Sequence, residues 1–513
     1  MKKRAQIPNS KTYTIIFRGC ADSLHPKLAV AEATRVYNFM LKVGALKPNT
    51  IHMNAVLEVC ARAGDLESMF TILLSANDTM RAPDAHTYTI VLNALRYDSK
   101  GADRGLGLID QDVKREVQKN IQRARALWED VMARWKSAKM LVDEPLVCAM
   151  GRVLNAGDYK DNESVLDLLE QTMQIPRLDK ISGSLPSAPK TEETPEGQKA
   201  ESDPAKPIHD MSPKARREMA TSRPKGSPLF APPGNKALSL ALTALASIRK
   251  TSHASKYWNY FTQTLGVTPD RDNYYSYIRA LATGHASSQV ADLVDAMPIE
   301  ILGFITFRIA FGACVRDNLN PDAFKNSVRI FETMTAKQRY ADPLAMRLFL
   351  QSARANTRHF HELAATDPYK AKLAHGKQIV KAVNLMWEPL RILMGSFSYP
   401  PLQRRSPQEE MEEKRGDMQE AMSTARRMIA AIDFVVSEEM MEDRKKVKAL
   451  RARRIVLQRM VERYILKLYP DGPRNKKWNS ESDAEADFEK GDGAQITYAS
   501  MFADMDSKST VHL

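Results

Sequence analysis

The sequence predicts an all-α chain, an α-solenoid of helix hairpins with a disordered insertion and a helical C-terminal cap. Three observations carry this. Apolar residues recur at helical spacing through most of the 513 residues. The stripes come in pairs, divided by short breaks and closed by Pro-Asp or Pro-Asn. And the pair itself repeats, so that each hairpin has a neighbour against which to bury a face it cannot bury alone.

The clearest unit is Thr50–Asp84, 35 residues long. Met53, Val56, Leu57, Cys60 and Ala61 line a first helix and Leu66, Met69, Phe70, Leu73 and Leu74 a second, with Ala63-Gly64-Asp65 as the break between them. Before it, Ser10–Ala21 opens a unit that closes at Lys47-Pro48-Asn49; after it, Ala85–Leu95 opens a third. The third unit is interrupted from Asp98 to Gln118, where Gly101, Gly105 and Gly107 predict a surface loop. They do not make a phosphate loop, because no strand precedes them and no Lys-Ser/Thr follows. Its second helix is expected from Asn120 to Ala138, ending at Val142-Asp143, and a fourth unit follows, so residues 1–181 hold about four repeats.

From Ser182 to Pro233 the composition turns to Pro, Ser, Lys, Glu and Thr without periodicity, the mark of a disordered linker. Repeats restart at Asn235 and fill 234–396 with about four more, whose first helices include Asn273–Leu281, Ile305–Arg316 and Leu344–Ala353, followed by a long apolar helix from Gln378 to Met394. Charged helices are expected over 408–468. Met418, Met422, Ala425, Ile429, Ile432 and Val436 form a seam or cap over the last repeat, and eight basic residues from Arg444 to Arg459 form either a solvated face or a phosphate-contacting one. The polar, acidic tail 471–513 is expected to be disordered.

Units that open on Thr-Tyr-Thr-Ile, pass through Ala-Gly between helices and end in Pro-Asp resemble the pentatricopeptide repeat family; the Trp-Leu-Gly-Tyr pattern of tetratricopeptide repeats is absent. The resemblance implies a groove that reads single-stranded RNA, one base per repeat, through the fifth and last residues of each unit. Carried onto this sequence, Asn54 with Asp84 resembles the uracil pair, Thr14 with Asn49 the adenine pair and Thr89 with Asp143 the guanine pair. Ser239 with Asp270 resembles a purine pair. Tyr275, Arg308 and Arg347 depart from the pattern and would stack on bases, hold phosphates or salt-bridge neighbouring repeats. Hydroxyl, amide and acid can match or orient a base edge, and the same residue types also cap helices.

The 75 Lys and Arg exceed the 62 Asp and Glu by a net charge of +13, which favours a polyanionic partner or a place on a ribosome. Four cysteines in so long a chain exclude a disulfide framework. Cys20, Cys60 and Cys314 share one position of a first helix and read as core; Cys148, at a fifth position, is the one thiol expected to face the groove. His359 and His361 point to different sides of a helix, so no metal site is expected, nor any cofactor, catalytic residue or small-molecule substrate. No apolar stretch is long enough to span a membrane. The opening Met-Lys-Lys-Arg-Ala-Gln leads straight into the first unit without room for a presequence. Long members of the family belong to mitochondria or chloroplasts, so the resemblance implies a mitochondrial protein with a missing presequence or internal signals. Within the family the charged helical end and long insertion look most like fungal mitochondrial proteins that mature the 5′ end of small-subunit ribosomal RNA and assist group I intron splicing. The alternatives are a scaffold on the mitochondrial small ribosomal subunit and an activator of one mitochondrial message.

Overall fold

Thr50 to Ala63 forms a helix because Asn49 caps it, accepting from the His52 amide, and because Met53, Val56, Leu57 and Cys60 fall on one buried stripe. It stops at Gly64, whose φ of 70° is open to a residue without Cβ. The same logic repeats along the chain. The computed structural model describes residues 8–42, 46–105, 110–181, 229–397 and 407–468, and among them every regular element is helical. The chain divides into two compact units, Met1–Ala280 and Leu281–Leu513.

In the first unit α1 (Ser10–Ala21), α3 (Thr50–Ala63), α5 (Ala85–Gly105), α7 (Glu144–Leu154) and α9 (Asn235–Ser247) stack in succession, each on the next. Between them run α2 (Pro26–Lys42), α4 (Leu66–Leu73), α6 (Asp110–Lys136) and α8 (Tyr159–Met173), each packed on the first helix of its own hairpin. α10 (Ala254–Asn259) continues through a π-turn at Tyr260–Thr264, and α11 (Arg271–Thr283) closes the unit. Phe17, Tyr37, Met53, Leu57, Met69 and Val91 belong to one continuous core. This is the stacked-hairpin architecture the repeat predicts, since no single hairpin could bury its own stripe.

Three local expectations are corrected. Most of the stretch expected as a loop is helical: α5 continues to Gly105 and α6 begins at Asp110 rather than Asn120, while Gly107 lies outside the described residues. Buried Asn120 holds the extension, its amide donating to Asp98 at 2.8 Å and to Ser99 at 3.2 Å. Leu74 is not inward but 86% exposed, because α4 ends at Leu73; Ile72 takes the buried place. Third, the last residues assigned to the linker belong to the folded body, although 182–228 lie outside the described residues. Leu229 accepts from Trp135 Nε1 at 3.0 Å, Phe230 packs edge-on against the Trp135 ring, and Ala231 is buried, its amide bonded to Thr172.

The opposite root of the insertion is equally fixed. Arg177 and Asp179, both buried, form a two-pronged ion pair at 2.8 and 2.9 Å, and Lys250 joins Asp179 at 2.9 Å and Glu163 at 3.1 Å. Burial alone would raise the Asp179 pKa, but the hydrogen bonds from Arg177 and Lys250 outweigh it and hold the carboxyl well below its usual range.

In the second unit α12 (Ser287–Ala296) packs on α14 (Ala323–Lys337), and α13 (Phe304–Arg316) packs on both α14 and α15 (Pro343–Ala355). Phe331 and Phe349 stack at 4.3 Å between ring centroids, with Phe311 and Phe324 against Phe349. α16 (Thr357–Thr366) and α17 (Pro368–Ser396) follow; α17 starts ten residues before the expected Gln378, because Asp367 caps it and Pro368 suits a first helical turn. α18 (Pro407–Ser437) lies over α15 and α17, and α19 (Arg444–Leu468) packs on α18. Met422, Ala425, Ile429 and Ile432 are buried there, and Thr424 donates to the Pro343 carbonyl at 3.1 Å, so α18 covers the last hairpin as a cap. The tail 471–513 lies outside the described residues.

Candidate nucleic-acid interface

Because hairpins stack with their first helices alongside one another, hydrogen bonds join consecutive helix N-termini in the first unit. These junctions gather the residues singled out from the sequence. Asn54, the fifth residue of α3, donates through Nδ2 to Asp84 at 3.2 Å, and its Oδ1 accepts from Thr87 Oγ1 at 2.7 Å. Asp84 in turn caps α5, accepting from the Thr87 amide at 2.8 Å while Thr87 Oγ1 accepts from the Asp84 amide at 3.1 Å. Asn54 is largely buried. Its amide has two donors and two acceptor positions, so one of each remains after these bonds.

At three of these steps the third residue of a first helix binds the junction together: Thr87 of α5 as above, His52 of α3 and Asn273 of α11. At the α1–α3 step it is His52: Nε2 lies 3.0 Å from the Ser10 carbonyl oxygen and 3.2 Å from Ser10 Oγ, and Nδ1 accepts from the Asn49 amide at 3.2 Å. Thr14 donates to that same Ser10 carbonyl, while Asn49 caps α3, so the two candidates sit on either side of His52. At the α9–α11 step Asn273 donates to Ser239 Oγ at 2.8 Å and to the Asn235 carbonyl at 2.7 Å, and its amide donates to Asp270 at 2.9 Å. At His52, Thr87 and Asn273 the sequence signal is a polar residue in a capping-box position, whereas α7 and α9 carry Leu146 and Ala237 there.

Thr89 and Asp143 are each bonded within their own turn: the hydroxyl donates to the Ala85 carbonyl at 2.8 Å, and buried Asp143 caps α7, accepting from the Leu146 amide at 3.1 Å. α9 has only Gly234 at its cap; Glu144 of α7 supplies the missing acceptor, taking the Ala237 amide at 2.9 Å. A Cβ on Gly234 would stand 2.8 Å from that carboxylate, so a larger residue there would push Glu144 off the Ala237 amide.

Cys148 does not face a groove. The run Leu146–Gly151 is buried because α7 is packed between α5 and α9, and burial pushes the thiol up to about 12. Tyr275, at the fifth position of α11, is likewise buried, at 2% exposure. In the second unit the fifth positions make ion pairs. Arg308 donates from Nε and Nη2 to Asp342 at 2.7 Å each, and Arg347 reaches Glu420 and, at 3.1 Å, Ser423 of the cap helix α18. Both arginines thus do what one sequence reading allowed, tying neighbouring elements together. Among the described residues no cluster of His, Cys, Asp or Glu is suited to a metal, and no helix is long and apolar enough to cross a membrane.

No protein-family model matches the sequence, and no curated protein matches it. Two crystal structures of the pentatricopeptide repeat protein PPR10 in complex with an 18-nt psaJ RNA element, one of them a triple cysteine-to-serine form, align with 97% of this chain at 11% identity and a TM-score of 0.39. The structure of PPR10 from maize aligns with 99% of this chain and 76% of its own length, at 14% identity and a TM-score of 0.22. The chain spans 59% of the length of the first two.

Proposed function

We propose that this chain is a pentatricopeptide-repeat-like protein that binds single-stranded RNA sequence-selectively. It would act in mitochondrial RNA processing, stability or splicing, with small-subunit rRNA maturation and group I intron splicing as the finer readings. The observation that carries the proposal is the Asn54–Asp84–Thr87 junction, where the fifth residue of one hairpin meets the cap of the next and keeps one donor and one acceptor unspent. An amide in that state complements one Watson–Crick edge and penalises the others. The net charge of +13 supports a polyanionic ligand.

The experiment compares single-stranded oligomers that differ only at the base opposite the second repeat. Wild type should prefer uracil there, within the order A-U-G read by the first three units. Asn54→Thr should move the preference to guanine, by on the order of 1 kcal/mol. Identical base rankings for the two proteins, or equal affinity for a duplex stem and an unstructured strand, would reject base reading.

One observation favours a second reading for the second unit, that of a scaffold on the mitochondrial ribosomal small subunit. Arg308 and Arg347 are both engaged within the protein, so its fifth positions serve packing rather than reading. Retention of a stoichiometric protein partner after a high-salt wash that strips RNA would support it.

A further inference from the structure

The outer face of α19 is unlike the rest of the described surface. The helix buries Leu450, Leu457, Val461 and Tyr464, and Tyr464 donates to the Met394 carbonyl, which fixes its rotation. Opposite that stripe, Arg444, Lys445, Lys448, Arg451, Arg459 and Arg463 are all exposed. Arginines elsewhere commonly have acids: Arg125 with Asp161, Arg134 with Asp78, Arg329 with Asp292 and Asp295, and Arg454 of α19 itself with Asp433. The six on the outer face have none among the described residues. The acids next to them in sequence bond to other side chains, Asp443 to Lys446 at 3.7 Å, Glu442 to Tyr369 at 3.0 Å and Glu462 to Gln458 at 3.1 Å.

Like charges three and four residues apart on a helix repel, so a ridge of this kind costs stability unless a ligand neutralises it. It runs from Arg444 to Arg463, about 29 Å at the helical rise, and four of its six cations are arginines, whose planar forks suit phosphate oxygens. A membrane surface suits it less well. The apolar stripe that would sink into lipid is already buried in the protein, leaving Ile455, Val456 and Leu466 scattered outside and no aromatic residue among them.

We propose that the outer face of α19 is a sequence-independent site for the phosphodiester backbone of RNA, separate from the helix-terminus junctions of the first unit. It shares the RNA partner of the proposed function but does not depend on base reading, and it stands or falls on salt dependence rather than on base preference.

The test uses the full chain and a fluorescein-labelled oligouridylate, with affinity measured between 50 and 200 mM salt. The variant carries Lys448→Gln, Arg451→Gln, Arg459→Gln and Arg463→Gln; the control removes the same charge at exposed Lys27, Lys160, Lys325 and Lys372. Each phosphate that the protein no longer neutralises should lower the slope of log affinity against log salt by about 0.7, so the slope of the variant should fall by about 3 while the control keeps it. Base preference should stay where it is, and the melting temperature of the free variant should hold or rise slightly as the like-charge repulsion is relieved. An unchanged slope, an equal fall in variant and control, or loss of binding to phosphatidylserine vesicles with RNA binding intact would each overturn the proposal. Absence of any base preference in wild type, with the slope difference still present, would reject base reading alone.

Discussion

The two units solve one problem with opposite chemistry. Where hairpins meet in the first unit, Asn54 touches Asp84 through a neutral amide, and hydroxyl, imidazole and amide side chains at the third positions complete the network. At the equivalent place in the second unit, Arg308 closes on Asp342 with both prongs. The slot is the same, since Asp342 caps α15 as Asp84 caps α5. An amide leaves capacity over for a ligand, whereas a guanidinium fork takes both oxygens of the acid and locks the joint. A joint with hydrogen-bonding capacity to spare and a structural rivet can therefore differ by one side chain.

The largest effect should follow from breaking the rivet. Asp342→Ala removes a helix cap together with the acid that Arg308 grips; because Arg308 is partly exposed, the cost should be about 2–3 kcal/mol rather than that of a fully buried pair, read from denaturant unfolding. Base preference should not change. If it does, the second unit reads bases after all. Next comes Asn54→Ala in the first unit, which removes the amide bridging Thr87 and Asp84 but leaves the Thr87 hydroxyl its bond to Asp84 at 2.9 Å, and should lower stability by about 1 kcal/mol. A loss as large as that at Asp342 would mean that both joints are rivets.

A smaller effect separates the units by pH. His375 of α17 stacks on Phe360 at 4.5 Å, and burial, with Arg354 and His361 nearby, pushes its pKa down to about 4. The unfolded chain protonates such a group near pH 6.5, so the stability it contributes is complete above that value and is lost as pH falls toward 4. The unfolding midpoint of the second unit should decline from pH 7.5 to pH 5, and His375→Phe should flatten that decline; a parallel slope in wild type and variant would count against it.

The smallest effect is chemical. Half-buried Cys20 should react with a thiol reagent first, while Cys60 and Cys148, both pushed up to about 12 by burial, and fully buried Cys314 wait for unfolding. Early labelling of Cys148 would reopen the fifth position of α7 as a surface.

Much of this architecture could be read from the chain because its signals are local. The stripe of α3, the Ala-Gly-Asp break and the Pro-Asp terminator each act within a few residues, and so does the seam of α18. What escaped depends on partners distant in sequence. α5 runs on past Asp98 because Asn120 of another helix holds it, Ala231 is docked by a carbonyl at Thr172, and Cys148 is buried by neighbours on both sides of α7. At the candidate interface the fifth and last residues stood out by resemblance. The third residues did not: His52, Thr87 and Asn273 are three different chemistries, alike only once folding has placed each beside the preceding helix.

The caps carry a further consequence for any strand that lies along the first unit. A helix N-terminus presents about half a positive charge. Asn9 and Asn49 leave that charge standing at α1 and α3, but Asp84, Asp143 and Asp270 set a full carboxylate in front of α5, α7 and α11. At α5, α7 and α11 the carboxylate therefore more than offsets the partial charge of the helix end it caps. At those three caps a phosphate is disfavoured and the neutral rim of a base is tolerated, so a strand bound as proposed would turn its bases toward the helix ends and its backbone away. On the proposed RNA reading, the caps would select which side of the strand faces the protein before any base is distinguished from another.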